Sequence, residues 1–176
     1  MKKTNKIFVT LLASNFILLF CLGILNSNLG KLGFFVYAPI LFFMPALLFL
    51  DRVRALIILF ISGILYDLSN YVLLGFHGFF LCFVYLVWQE IFKVGKSGIH
   101  SYPTIIQVFI NLFLGLNWAL FLILFSSGNQ TWGWQRLITD LLLSSLLIIP
   151  IGIWFPKFCS SLLDFLNLNL SSENAD

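Results

Sequence analysis

The stretch from Ile7 to Leu25 reads IFVTLLASNFILLFCLGIL and contains no charged side chain. A helix needs about 20 mostly apolar residues to cross the hydrocarbon core of a bilayer, which is ~30 Å thick. The run exceeds the ~7–15 apolar residues of a secretory signal. It is also followed by Asn26-Ser27-Asn28 and not by a small-residue cleavage site. It therefore predicts a first membrane span that is retained.

Five later stretches have a similar length and hydropathy or come close to it. They are residues 33–50, 53–68, 75–92, 104–127 and 137–155. Every backbone polar group in lipid must be paired within the protein, and the alternating pattern of a barrel is absent, so helices are expected. We expect an all-α polytopic membrane protein with about six transmembrane helices in one bundle over residues 1–156. Residues 157–176 are expected to form a cytoplasmic interfacial tail.

Composition supports the same fold class. Hydrophobic residues make up 60% of the 176-residue chain, charged residues 10%, and the mean hydropathy is +1.01. In a soluble domain roughly a quarter of the residues are charged. A chain with so few charged residues cannot build a water-facing surface. Its cysteines, Cys21, Cys82 and Cys159, are far apart in sequence and suggest neither a disulfide framework nor a zinc site.

The placement of lysine and arginine predicts the orientation. With six spans the two termini share one side of the membrane. That side would hold eight of the ten Lys and Arg residues: Lys2, Lys3, Lys6, Arg52, Arg54, Lys93, Lys96 and Lys157. The other side would hold Lys31 and Arg136. The bias predicts that both termini are cytoplasmic.

Ionisable residues at membrane depth are costly, which makes Asp67, His77 and Asp140 candidates for a role. Asp67 ends the third span near the outer surface. It is expected either to anchor the following turn inside the bundle or to cap that turn in contact with headgroup water. Asp140 lies four residues after Arg136, so the two side chains share a helix face and are expected to pair.

The fifth span carries a polar stripe of Gln107, Asn111 and Asn117. An amide that faced acyl chains would be unpaired, so this stripe is expected to face protein. His77 and His100 are predicted on opposite sides of the membrane, which argues against a metal site. The sequence contains no catalytic motif and no basic, aromatic-interleaved surface for nucleic acid. No catalytic, cofactor-binding or metal-binding residue is therefore expected.

A longer series of residues resembles a known family. It runs Tyr37-Ala38-Pro39-Ile40-Leu41, Pro45, Gly63-Ile64-Leu65-Tyr66-Asp67-Leu68-Ser69 and Leu74-Gly75-Phe76-His77. The series resembles the bacterial rod shape-determining membrane protein MreD family. That family has a proline early in its second span, Gly-x-x-x-Asp-Leu at the end of its third, and Leu-Gly at the start of its fourth. The resemblance covers about a third of the chain, and the turn after Asp67 lacks the family's glycines.

The resemblance implies a non-enzymatic scaffold of the cell-wall elongation complex in the bacterial inner membrane. It implies a single-span partner similar to MreC and, indirectly, an actin-like filament similar to MreB. It also implies the fold of the substrate-binding subunits of energy-coupling-factor transporters. Structural or partner-contact candidates are Pro39, Gly63, Asp67, Gly75, His77, Asn111, Arg136 and Asp140.

Two other function classes stay open from the sequence. In a transporter's substrate-binding subunit, Gln107, Asn111 and Asn117 would line an outward pocket for a vitamin-like molecule, together with His77 and Trp118. In a lipid-modifying enzyme, Asp67 and Asp140 would act together near the outer surface, although Arg136 competes for Asp140.

Overall fold

A computed structural model describes residues 3–70, 73–92, 104–125 and 134–168, and their regular elements are all helical. The expected all-α class is thus confirmed for this part of the chain. The helices are α1 Lys3–Gly30, α2 Phe43–Phe49, α3 Arg52–Ser69, α4 Phe76–Phe92, α5 Thr104–Phe125 and α6 Trp134–Phe165, and a 3₁₀ turn Pro39–Phe42 precedes α2.

Two of the described helical stretches are long and apolar enough to cross a membrane, Lys3–Gly30 and Gln135–Phe165. Two further apolar stretches, Pro39–Phe49 and Ile105–Phe121, are shorter. α3 has 18 residues, but Arg52, Arg54 and Asp67 place three charged side chains on it. α4 has 17 residues.

The structure differs from the prediction of a single helix over residues 33–50. Residues 34–38 are not helical, and they are called the core segment below. Gly33 has a φ of +82°, a conformation that glycine adopts without strain, and it ends the turn after α1. Pro39 disfavours helical geometry at Ala38 and lacks an N–H group, so helical structure begins at Pro39 and not before it.

The predicted helix over residues 137–155 is part of a longer helix. α6 continues through Pro150 and Pro156 to Phe165, so the start of the predicted interfacial tail belongs to the same helix. Phe155, Cys159 and Leu163 are buried at one-turn spacing, so this end of α6 packs into the bundle. Asn167 follows with a φ of +54° and closes the helix as a left-handed cap. Residues 169–176 of the predicted tail lie outside the described residues.

α3 and α4 form a tight antiparallel pair that depends on two glycines. A Cβ atom on Gly63 would lie 2.3 Å from the backbone nitrogen of Gly78 and 2.7 Å from the carbonyl carbon of His77. α1 packs on the other side of α3, where Asn15 Nδ2 donates a hydrogen bond of 2.9 Å to Ser62 Oγ. Small residues therefore set the helix spacing on both sides of α3.

We predict that Gly63→Ala lowers the free energy of unfolding by about 1–3 kcal/mol, because the added methyl group must push backbone apart. Gly23→Ala on α1 is the matched control, since a Cβ atom there meets nothing within 4 Å. Thermal unfolding of the purified variants in detergent measures the difference. Equal melting temperatures for the two variants would refute the close contact of α3 and α4.

Candidate functional site

The core segment runs through the middle of the bundle, and polar side chains from the surrounding helices bind its backbone. The N–H of Phe35 donates to Asp140 Oδ1 at 2.9 Å, and the N–H of Tyr37 donates to Ser144 Oγ at 2.7 Å. The Ser144 hydroxyl in turn donates to the carbonyl oxygen of Asp140 at 2.5 Å. The core segment is not helical, so its own backbone does not pair these two N–H groups. Side chains of α6 pair them instead.

The other side of the core segment is bound by α1 and α5. Asn26 accepts a hydrogen bond from the N–H of Val36 at 2.8 Å and donates one to the carbonyl oxygen of Val36 at 3.0 Å. The side-chain amide of Asn26 thus makes the two hydrogen bonds to Val36 that a neighbouring β-strand would make in a sheet. Asn111 Nδ2 donates to the carbonyl oxygen of Tyr37 at 2.7 Å.

These bonds allow backbone without helical structure to lie inside the protein. A buried donor or acceptor left without a partner costs about 1–3 kcal/mol. Val36, Tyr37 and Ala38 are each no more than 2% exposed, so water cannot supply the missing partners. The polar residues of α1, α5 and α6 therefore have a structural task that their positions in sequence do not reveal.

The side chain of Tyr37 connects the core segment to α4. Its hydroxyl lies 2.8 Å from His77 Nε2, and His77 Nδ1 lies 2.5 Å from Asp67 Oδ1. The ring of Tyr37 stacks on Trp118 of α5 with 5.2 Å between centroids. A chain of hydrogen bonds thus runs from α3 through α4 to the core segment.

Asp67 also binds backbone N–H groups at the start of α4. Its Oδ2 accepts a hydrogen bond of 2.8 Å from the N–H of Gly75, and the N–H of His77 lies 3.3 Å from both carboxylate oxygens. A carboxylate suits this place, because the first N–H groups of a helix have no partner within the helix and carry partial positive charge. The Asp67 side chain is 0% exposed. The structure therefore agrees with the interpretation of Asp67 as an anchor inside the bundle and not as a cap in contact with headgroup water.

Gly75 permits this arrangement through its own backbone. Its φ is +93°, which a residue with a Cβ atom rarely adopts. The sequence therefore needs glycine where the chain turns back towards the carboxylate of Asp67, eight residues earlier.

Asp140 and Arg136 lie close together, as their i, i+4 spacing predicts. Arg136 Nε is 3.8 Å from Asp140 Oδ2, and the Arg136 side chain is 56% exposed. The shorter contact of Asp140 is the one to the N–H of Phe35 through its other oxygen. Pairing with Arg136 is thus the weaker of the two roles of this carboxylate.

The polar stripe of α5 divides into two parts. Gln107 and Asn111 are buried, as expected, and Gln107 lies against Gly152 of α6. Asn117 is only half-buried and bonds within its own helix, where its Nδ2 donates to the carbonyl oxygen of Phe113 at 2.7 Å. Asn111, His77 and Trp118, which a transporter-type pocket would require, all contact Tyr37.

Sequence reasoning selected Asn111 and Asp140 but missed the other two residues that bind the core segment, Asn26 and Ser144. Asn26, placed in a connecting loop by the sequence, lies on α1, and Ser144 is an ordinary small residue in an apolar run. The one signal that could have identified the segment is Pro39, because a proline near the start of a predicted span interrupts helical pairing.

The Tyr37–His77–Asp67 arrangement has the order of a nucleophile, a base and an orienting carboxylate. All three side chains are buried, with exposures of 2%, 0% and 0%, and Asp67 is bound in addition to backbone N–H groups. The arrangement therefore holds elements together and does not present a reactive atom at a surface. Among the described residues, no group of three or more His, Cys, Asp or Glu side chains is placed to hold a metal ion.

Comparison of the chain with protein-family models, characterised proteins and solved structures found no match.

We predict that Asn111→Leu lowers the free energy of unfolding by about 1–3 kcal/mol, because the carbonyl group of Tyr37 loses its buried partner. Asn117→Leu is the matched control on the same helix, since the carbonyl group of Phe113 keeps its place in the helix without that side chain. Thermal unfolding in detergent compares the two. A loss of stability in Asn117→Leu as large as that in Asn111→Leu would contradict the assigned role.

Proposed function

We propose that this chain is a non-enzymatic membrane scaffold of the bacterial cell-wall elongation complex, acting in the maintenance of cell shape. The observation that carries the proposal is that the residues of the MreD-like series have connected structural tasks. Pro39 starts the 3₁₀ turn after the core segment, Gly63 lets α3 and α4 meet, and Asp67 binds Gly75 and His77.

The proposal includes six crossings of the inner membrane. At about 1.5 Å per residue, α3 is ~27 Å long and α4 ~26 Å long, close to the ~30 Å of a hydrocarbon core. The core segment adds at most about 17 Å to the ~17 Å of the helical residues 39–49, so together they are also long enough. Non-helical backbone is tolerated at membrane depth only where protein surrounds it, and the buried residues Val36, Tyr37 and Ala38 of the core segment meet that condition.

The proposed orientation places both termini in the cytoplasm. Arg54 Nη2 donates a hydrogen bond of 3.2 Å to Asn5 Oδ1, so the start of α1 and the start of α3 lie at the same end of the bundle. Lys3, Lys6 and Arg52 belong to that end, which agrees with the preference of basic residues for the cytoplasmic side.

A scaffold of this kind offers partners its lipid-facing sides and the basic end of the bundle that holds Lys3, Lys6 and Arg52. Large apolar side chains are exposed along the helices, among them Phe20 on α1, Phe79 on α4, Phe109 on α5 and Leu146 on α6. We propose membrane lipid and a single-span MreC-like protein as direct partners of these sides, and an MreB-like filament as an indirect partner.

The test is replacement of the resident MreD-like protein of a rod-shaped bacterium by this chain. We expect the wild-type chain to keep cells rod-shaped and Asp67→Asn to give wider, rounder cells, because a neutral amide binds the N-terminus of α4 less well than a carboxylate. Microscopy and the rate of lateral wall insertion are the measurements.

Asp164→Asn is the matched control, because Asp164 is exposed on α6. Immunoblots of the membrane fraction correct for the amount of each variant. If cells keep their shape and wall insertion after depletion of the wild-type chain as well, the proposed function is refuted.

A further inference from the structure

A groove between α1 and α3 opens towards the side of the bundle. Its volume is 590 Å³, and its walls include Phe16, Phe20 and Ile24 of α1 and Leu65 and Leu68 of α3. A second cavity of 460 Å³ continues it towards the core segment, and the two share Leu19, Gly23, Ser27 and Ser69 as walls. Both volumes lie within the range of ligand sites in proteins, about 300–1,000 Å³.

The second cavity, called the inner chamber below, is more polar than the groove. Its walls include Asn26, Ser27, Ser69 and Asn70 beside the rings of Phe35 and Tyr66. Asn70 Nδ2 donates to the carbonyl oxygen of Tyr66 at 2.8 Å and to Ser69 Oγ at 3.1 Å, so its amide nitrogen is engaged and its oxygen can accept. None of the described residues that line either cavity carries a charge.

The change from apolar to polar follows the axis of α1. From Phe16 to Asn28 the helix rises about 18 Å, close to the ~15 Å of one half of a hydrocarbon core. The polar end coincides with the ends of α1 and α3, which the proposed topology places at the outer surface of the membrane. The groove therefore has the polarity of a single lipid leaflet at the same depth.

We propose that the groove and the inner chamber bind one lipid of the outer leaflet, an inference that rests on the proposed topology. One acyl chain lies along Phe16, Phe20 and Leu65, and an uncharged head group with hydroxyl donors occupies the inner chamber. A charged head group is disfavoured there, because the described walls supply no opposite charge. A partner's transmembrane helix fits less well, because its backbone groups are already paired and have no use for the polar chamber.

Gly23 allows a direct test, since it lines both cavities and a Cβ atom on it meets nothing within 4 Å. Gly23→Leu should therefore fill the groove without disturbing the fold. Gly30→Leu is the matched control on the same helix, because Gly30 also has open space and lines neither cavity. Thermal unfolding in detergent checks that both variants fold like the wild type.

The probe is a monoacylglycerol with a photoactivatable group on its acyl chain, in nanodiscs of phosphatidylcholine that hold the full chain. Peptide mapping after irradiation should find the label concentrated on α1 and α3 near Gly23. We expect Gly23→Leu to reduce this labelling about tenfold, the effect of losing about two buried methylene contacts, and Gly30→Leu to leave it unchanged. Unlabelled monoacylglycerol should compete more strongly than an anionic lysophospholipid.

Labelling spread evenly over all lipid-facing helices, or equal labelling in Gly23→Leu and wild type, would overturn the lipid site. Equal competition by the anionic lipid would overturn the uncharged head group. In a second arm, a photoactivatable amino acid replaces Gly23 in the full chain in native membranes, and its cross-linking to a protein in place of lipid would show a partner helix as the occupant and overturn the proposal as well. The labelling experiment does not measure cell shape, so a failure of the lipid site can be distinguished from a failure of the scaffold function.

Discussion

The structure depends on the pairing of a short non-helical backbone inside a bundle of apolar helices. Helices satisfy their own backbone groups, but residues 35–37 cannot, because Pro39 and the turn at Gly33 keep them out of helical geometry. Asn26, Asn111, Asp140 and Ser144 provide the partners, one or two from each of three helices. The relative positions of α1, α5 and α6 are therefore set by hydrogen bonds to a common strand of backbone.

A second set of contacts attaches the α3–α4 pair to the same segment. Tyr37 reaches His77, and His77 reaches Asp67, whose carboxylate also binds the N–H of Gly75. Side-chain hydrogen bonds in an apolar interior are strong when complete and costly when one member is missing. The buried Tyr37, His77 and Asp67 side chains therefore join α3, α4 and the core segment.

The helical class and most helix positions could be predicted from the sequence, because long apolar runs without the alternating pattern of a barrel favour helices. The predicted spans at 53–68 and 75–92 lie within two residues of α3 and α4. Asp67 could be selected because an ionisable side chain at membrane depth is costly, and Gly75 could be selected through its place in the family resemblance. The burial of Gln107 and Asn111 followed from the cost of an amide in lipid.

The hydrogen-bond partners of the core segment could not be predicted, because three of the four, Asn111, Asp140 and Ser144, lie far away in sequence. Tyr37 and Ser144 are 107 residues apart, and hydropathy alone makes residues 33–50 look like any other span. The hydrophobic pattern also cannot show whether a proline lies at the start of a helical stretch, as Pro39 does, or inside a helix, as Pro156 does in α6. In both cases the backbone conformation depends on packing against residues that are distant in sequence, and the local pattern does not show that packing.

Hydrogen exchange of the backbone amides of residues 35–37, measured by mass spectrometry on the full chain in nanodiscs, shows whether the surrounding helices bind the core segment. We predict protection comparable to that of the flanking helices α1 and α3, with Asn26→Ala removing the protection at Val36. Exchange of these amides as fast as in an unstructured peptide would contradict the hydrogen bonds from α1, α5 and α6 to the core segment.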